Sequence, residues 1–368
     1  MRATVAEINV KKLKHNYRRL REIAPNSKMM AIVKANAYGH GMIEISKILQ
    51  DLGVDFLGVA FADEGAWLRE AGITVPIIVL FPGAVEEVAT YTSYDLQAVA
   101  SSERFLTALN KEAEKYEKKM KCHLFIDTGM HREGIKTGLV SDFMKYLANL
   151  NNIEIIAACT HFATAPDNKQ FALRQLDVFL NTVEKLRSEG YSFQYLHASN
   201  SAGIGNFKNA HLNIIRPGLS LYGYPPAEDL KDVFRVMPIM SIKTKVIVTH
   251  RISKGESVGY SRLFVADKPT TIATLPIGYG DGFFRTQTGK ANCLINGKKY
   301  PIVGSICMDA CMVDVGDDDI NPGDPAVLIG DQGNETILAT DIAEVIHTIP
   351  YEVTSAVAAR VPRIYVDS

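Results

Sequence analysis

Apolar and polar positions follow two different rhythms along the chain. Up to residue 237, short apolar runs alternate with stretches whose apolar residues recur at helical spacing. That spacing predicts helices over 9–23, 43–52, 63–71, 84–91, 103–120, 141–150 and 171–189. The apolar runs between them predict strands over 28–33, 56–60, 77–80, 96–100, 122–127, 153–160, 195–197 and 213–216. Eight strands separated by helices fit an α/β fold, an N-terminal (β/α)8 TIM-like barrel; a doubly wound open sheet is the alternative.

The rhythm changes at Pro238. Short alternating strands are predicted over 241–248, 270–275, 291–295, 300–303, 311–315 and 326–329. Turn pairs such as Asp281-Gly282, Asn296-Gly297 and Pro322-Gly323 separate them. Only 338–347 reads clearly as a helix. The expectation is two domains, a barrel over 1–237 and a mostly β domain over 238–368.

A barrel carries its reactive groups just after its strands, often with a phosphate site after the last two. The polar residues are distributed that way. Lys34 ends the apolar run 28–33, before the turn residues Asn36, Gly39 and Gly41. Arg132 follows the fifth strand, His161 the sixth, Ser201 the seventh, and Arg216-Pro217-Gly218-Leu219 ends the eighth. A lysine continuing a buried run loses solvation, which lowers its pKa and suits it to Schiff-base chemistry. Ser201 and Gly218 sit where a hydroxyl and backbone N–H groups can hold a phosphate. Each residue also has a plain reading: a snorkelling lysine, a surface arginine, a structural histidine, a helix N-cap, an ordinary turn. Their conjunction at strand ends favours a site.

Composition narrows the classes. A net charge of −1 gives no broad basic surface, so neither nucleic acid nor an anionic membrane is an expected partner. The longest apolar runs are too short to span a bilayer, and no apolar signal region opens the chain. Cys122, Cys159, Cys293, Cys307 and Cys311 are scattered, without metal-ligand clustering. A cytoplasmic location is expected, with no metal.

The string Val33-Lys34-Ala35-Asn36-Ala37-Tyr38-Gly39-His40-Gly41 resembles the cofactor-lysine signature of the alanine racemases. So do Thr160-His161-Phe162-Ala163-Thr164-Ala165, His197-Ala198-Ser199-Asn200-Ser201-Ala202 and Arg216-Pro217-Gly218-Leu219-Ser220-Leu221-Tyr222-Gly223. In the β region, Val258-Gly259-Tyr260-Ser261, Pro276-Ile277-Gly278-Tyr279, Ile306-Cys307-Met308-Asp309 and Pro350-Tyr351-Glu352-Val353 are also similar to family segments. The resemblance covers essentially the whole chain. It implies pyridoxal 5'-phosphate as cofactor, a small amino-acid substrate, and interconversion of L- and D-alanine by two bases, Lys34 and Tyr260. It implies that Tyr38, Ser201, Gly218, Leu219 and Tyr351 serve the cofactor phosphate, that Arg216 faces the pyridine nitrogen, and that His161 supports the second base. Arg132 and the Met308 backbone would bind the substrate carboxylate, with Tyr279 and Asp309 at the mouth of the site. It further implies a homodimer with shared sites and a role in supplying D-alanine for peptidoglycan. Racemisation of serine or a larger amino acid, decarboxylation, and cofactor binding without catalysis are the alternatives.

Three departures stand out. Where the family often has M-G-R-L-G, this chain has Met130-His131-Arg132-Glu133-Gly134; the arginine is kept and His131 and Glu133 change its immediate setting. Phe125 occupies the position of a lysine that many members carry as a carbamate, so another side chain or a bound anion must position Arg132. Ser305 stands where many members have an arginine. A tyrosine ordinarily titrates near 10, so a catalytic Tyr260 needs a cationic or hydrogen-bonding neighbour.

Overall fold

Lys28–Ile32 (β1) has one exposed residue and then four buried ones, the pattern of a strand covered on both faces. Phe56–Val59 (β2), Ile77–Val79 (β3) and Gln97–Ala100 (β4) are buried at every position. Met120–Asp127 (β5), Ile153–Cys159 (β6), Tyr195–His197 (β7) and Ile214–Ile215 (β8) follow in chain order. In a computed structural model, which describes residues 2–367, these eight strands run parallel in the order β8-β1-β2-β3-β4-β5-β6-β7. The two ends of the sheet meet through Asn213 N–H on the Leu196 carbonyl at 3.0 Å and Arg216 N–H on the Ser199 carbonyl at 2.9 Å. The sheet is a nearly closed barrel with helices between its strands, and the open-sheet alternative falls.

The predicted helices form, with one correction. The charged stretch expected to be helical over 103–120 is a helix only over Glu103–Glu114. Residues 114–119 are all exposed, so a longer helix would have no face to bury. The chain turns instead, with Glu117 at φ 52, and Met120 opens β5.

Among the described residues two compact units separate. One holds Lys14–Ala37 and Met42–Met237. The other holds the residues up to Leu13, Tyr38–Gly41 and those from Pro238 on. The second unit is built on antiparallel strands, including Met240–Lys245, Thr270–Leu275, Lys298–Val303, Cys311–Gly316 and Pro325–Gln332. The amino-terminal strand Val5–Asn9 belongs to its sheet, antiparallel to Met240–Lys245 and parallel to Arg363–Val366. Besides the predicted helix, observed over Ala339–Val345, a second one forms at Pro350–Ser355, with Pro350 at its first turn.

Candidate active site

Lys34 lies two residues past the end of β1, after Val33. The next four residues, Ala35, Asn36, Ala37 and Tyr38, have φ of 52, 54, 52 and 54. This is a left-handed turn of ordinary L-residues, which costs roughly 1–2 kcal/mol per residue. Hydrogen bonds within the barrel unit offset that cost. Ala37 N–H donates to the Val33 carbonyl at 2.8 Å, and the Asn36 side chain accepts from Met42 N–H at 2.8 Å. Glu64, a buried carboxylate, accepts from Ala35 N–H at 2.7 Å with one oxygen and from Ala60 N–H at 2.7 Å with the other. It thereby ties the turn after β1 to the end of β2. Burial and then the Arg132 guanidinium hold the Lys34 ammonium below its ordinary range, while Glu133 and Glu64 oppose them. A lysine so placed is closer to acting as a neutral base.

Arg216 is buried at the end of β8 and held by neutral acceptors. Its Nη1 donates to His197 Nδ1 at 2.7 Å. Its Nη2 donates to the carbonyls of Thr160 at 2.8 Å and Ala198 at 2.9 Å, and reaches His161 Nδ1 at 3.4 Å. Because a guanidinium only donates, the tautomers downstream follow by assignment. His197 accepts at Nδ1 and donates from Nε2 to His123 Nδ1 at 2.8 Å. His123 then donates from Nε2 to Gln97 Oε1 at 2.9 Å. This chain of bonds runs through the barrel interior from β8 to β7, β5 and β4. Burial, then the charge of Arg216, keeps all three imidazoles neutral: His123 falls to about 3, and His161 and His197 lie well below their ordinary value.

Ser201 is not the helix cap. Asn200 caps the short helix Ser201–Asn206, accepting from Gly203 N–H at 3.0 Å. The Ser201 hydroxyl is free for another task and spans to the loop after β8: it accepts from Gly218 N–H at 3.0 Å and from the Ser220 hydroxyl at 3.0 Å. Leu219 then begins a 3-10 turn, Leu219–Tyr222, whose leading N–H groups lack partners within the turn itself.

Arg132 lies on the loop after β5. It donates to Glu133 Oε1 from Nη2 at 2.6 Å and from Nε at 3.2 Å, and its guanidinium carbon lies 5.6 Å from the Phe81 ring centroid. Phe125 is buried with Val99 and Cys159 in an apolar cluster. The side chain that engages Arg132 is therefore that of Glu133, on the loop after β5.

The remaining expected residues belong to the β unit. Tyr38 and Tyr351 are ring neighbours with centroids 5.8 Å apart; burial pushes the Tyr351 phenol up to about 12. Gly39, at φ +85, lies so near the helix Pro350–Ser355 that a Cβ would come 1.9 Å from the Thr354 carbonyl oxygen. Tyr279 N–H donates to the Cys307 carbonyl at 3.0 Å, and Gly280 N–H to the Met308 carbonyl at 2.9 Å, joining those two segments. Arg360 clamps them, donating to Asp281 at 2.6 Å and pairing with Asp309 at 2.8 Å. Tyr260 stands on a turn with Gly259, Ser261 and Arg262 all at positive φ, and is 73% exposed.

A parallel barrel whose strand ends gather a desolvated lysine, a buried arginine and a serine-centred loop defines a lysine-dependent cofactor enzyme. The chain belongs to the alanine racemase family, whose members are pyridoxal-phosphate-dependent isomerases. The family's "Alanine racemase, N-terminal domain" matches residues 8–226 and its "Alanine racemase, C-terminal domain" residues 239–365. An alanine racemase of Halothermothrix orenii is 39% identical over 99% of this chain and 97% of its own length. The solved structure of alanine racemase from Clostridium difficile 630 superposes with a TM-score of 0.94 at 34% identity, covering 100% of this chain and 96% of that one. The alanine racemase of Bacillus anthracis with bound L-Ala-P gives 0.94 at 33% identity, covering 100% and 95%.

The residues present fit the cofactor of the family. A lysine amine suits an aldehyde, an arginine suits a ring nitrogen, and a serine hydroxyl with turn N–H groups suits a phosphate. Glu64 had no signal in the sequence; it reads there as one more charge on a helix. Glu133 was visible only as a change beside Arg132, and its burial needed the fold. Among the described residues no group of three or more His, Cys, Asp or Glu side chains is placed to hold a metal ion, and no helix is long and apolar enough to cross a membrane.

Proposed function

We propose that the chain interconverts L-alanine and D-alanine with pyridoxal 5'-phosphate, using Lys34 and Tyr260 as its two bases. The desolvated Lys34 at the end of β1, in an unbroken family signature, is the observation that carries the reading. When bound, the cofactor withdraws the electron pair left behind as the α proton departs. Lys34 would hold the cofactor through its amine, and as a base would take or return the α proton on the D side. Tyr260 does the same on the L side. Ser201, Gly218 and Leu219 would line the phosphate, with the Ser201 hydroxyl, which accepts from Gly218 N–H, donating its own proton to it. Arg216 would face the pyridine nitrogen and, being permanently charged, would keep that nitrogen unprotonated. Its bonds to His197 and two carbonyls fix its direction. Arg132 binds the substrate carboxylate.

The working unit is a homodimer in which Tyr260, Tyr279 and Met308 serve the barrel of a second copy. Exposure supports this: Tyr260, Leu263, Val265 and Met308 are 73%, 61%, 49% and 53% exposed in the single chain, an apolar set of the kind that a partner covers. Five cysteines without a disulfide support a cytoplasmic location, where D-alanine would feed peptidoglycan synthesis. Chiral analysis of the cofactor-loaded protein after incubation with L-alanine, L-serine and L-lysine separately tests the reading. D-alanine should form fastest; preferential D-serine or D-lysine would move the substrate, and no D-isomer at all would refute racemisation.

A further inference from the structure

Near Lys34 the barrel unit holds a carboxylate with no assigned task. The Glu133 side chain is only 3% exposed, against 40% for its partner Arg132. One oxygen, Oε1, takes both hydrogen bonds from Arg132; the other, Oε2, is buried with no hydrogen-bond partner. A half-paired carboxylate in the interior is costly; beyond Arg132, the charges it meets at longer range are those of Lys34 and Arg216. The carboxylate's electrostatic reach includes Cys159, which is buried with Phe125 and Val99 in an apolar cluster.

The loop is built to bring the two side chains together. Adjacent residues on an extended strand point to opposite faces. Here His131 turns the chain at φ 54 and Gly134 at φ 94. Asp127 Oδ1 accepts from the N–H groups of Gly129, Met130 and His131, each at 3.0 Å. Gly134 presses so closely on β5 that a Cβ would lie 2.5 Å from the Phe125 ring and 3.0 Å from Asp127 N. The backbone is therefore pinned, and Arg132 is left with two constraints on its head group, the Phe81 ring and Glu133.

We infer that Glu133 is a positioning residue: its buried carboxylate fixes the Arg132 guanidinium beside Lys34 in the orientation that receives the substrate carboxylate. This rests on Arg132 binding that carboxylate, as in the function proposed above. Because one guanidinium edge is committed to Glu133, the other edge remains for a second carboxylate, and bidentate geometry makes the orientation matter.

Glu133→Gln removes the charge and keeps the shape. In the cofactor-loaded full chain it should raise KM for both alanine enantiomers about tenfold or more, with a smaller change in kcat. The Kd for propionate, which is alanine without its amine, should rise by a similar factor when read from the absorbance of the bound cofactor. Bound cofactor and melting temperature should stay near the parent's. Glu133→Asp should recover part of the loss. Glu133→Leu, of similar volume, serves if the amide variant does not fold, with the same expectations for KM and Kd. Unchanged KM and propionate Kd in a folded variant, or a fall in kcat alone, would overturn the inference. If the parent protein does not racemise alanine, the proposed function fails on its own, and propionate binding still reports whether Glu133 orients Arg132.

Discussion

The strand-end cluster of the barrel unit and the reactive edge of the β unit follow opposite designs. In the barrel unit, Arg216, His197, His123 and Gln97 are buried and bonded to one another in a single direction. Their geometry is complete within that unit. In the β unit, Tyr260 stands exposed on a strained turn, and Met308 is more than half exposed. The backbone at Met308 is nonetheless fixed, by Asp281, which accepts from Arg360 and Arg2, and by the Tyr279–Cys307 and Gly280–Met308 bonds. The contrast teaches that this edge is rigid but uncovered. Proton transfer by a positioned side chain works best in a site closed to water, so under the proposed function such an edge needs a surface to cover it.

Substitutions can break that contrast, starting with the largest effect. Lys34→Ala should abolish racemisation and the absorbance of lysine-bound cofactor together; activity close to the parent's would remove Lys34 from the reaction. Tyr260→Phe should lower the rate in both directions by about 10²–10⁴ while leaving cofactor content unchanged. If cofactor is lost instead, the phenol has a structural role. The two variants together test sharing. Mixed one to one with subunit exchange, they should recover about a quarter of the parent's activity if each site takes Lys34 from one copy and Tyr260 from the other, since half the dimers are mixed and hold one intact site. Recovery of none after verified exchange would sink the shared-site dimer.

Acid should reveal the neutral histidines. Their folded pKa values lie below the usual unfolded value near 6.5, so the unfolded chain binds more protons than the folded one between the two. Stability is then fully present above about pH 6.5 and falls as pH drops towards the folded values. The slope is ~1.4 kcal/mol per pH unit for each such histidine. Urea melts between pH 7 and 5 measure it, and His123→Gln should flatten the slope by about one proton's worth; an unchanged slope would mean that His123 is charged in the fold. The smallest effect concerns the left-handed turn. Glu64→Gln keeps one acceptor oxygen but replaces the other with a donor facing an N–H, which should destabilise the protein by about 1–3 kcal/mol. Thermal melts of the cofactor-free and loaded forms would check it, and a neutral outcome would mean that Asn36 and the Val33–Ala37 bond hold the turn alone.

Much of this molecule is local in origin. The alternation of buried runs and helical stretches set the eight-strand barrel, and the expectation that polar residues after the strands form a site singled out Lys34, Arg132, His161, Ser201 and Arg216 as candidates. Periodicity is legible because burial of each strand and helix face acts residue by residue. Tertiary structure decided what depends on distant partners. Val5–Asn9 entered the β sheet because Met240–Lys245 and Arg363–Val366 offered it edges, and no local pattern records a partner more than two hundred residues away. The left-handed course of Ala35–Tyr38 depends in part on Glu64, whose carboxylate looks solvent-bound in the sequence. The engagement of Arg132 by Glu133 follows the same rule: the sequence supplied the two charges side by side, but the turn at His131 and Gly134 brought them together, with the Glu133 carboxylate buried and the Arg132 side chain part-exposed. A charge declares its chemistry in the sequence; its energy depends on the solvent and partners around it, and only the fold chooses those.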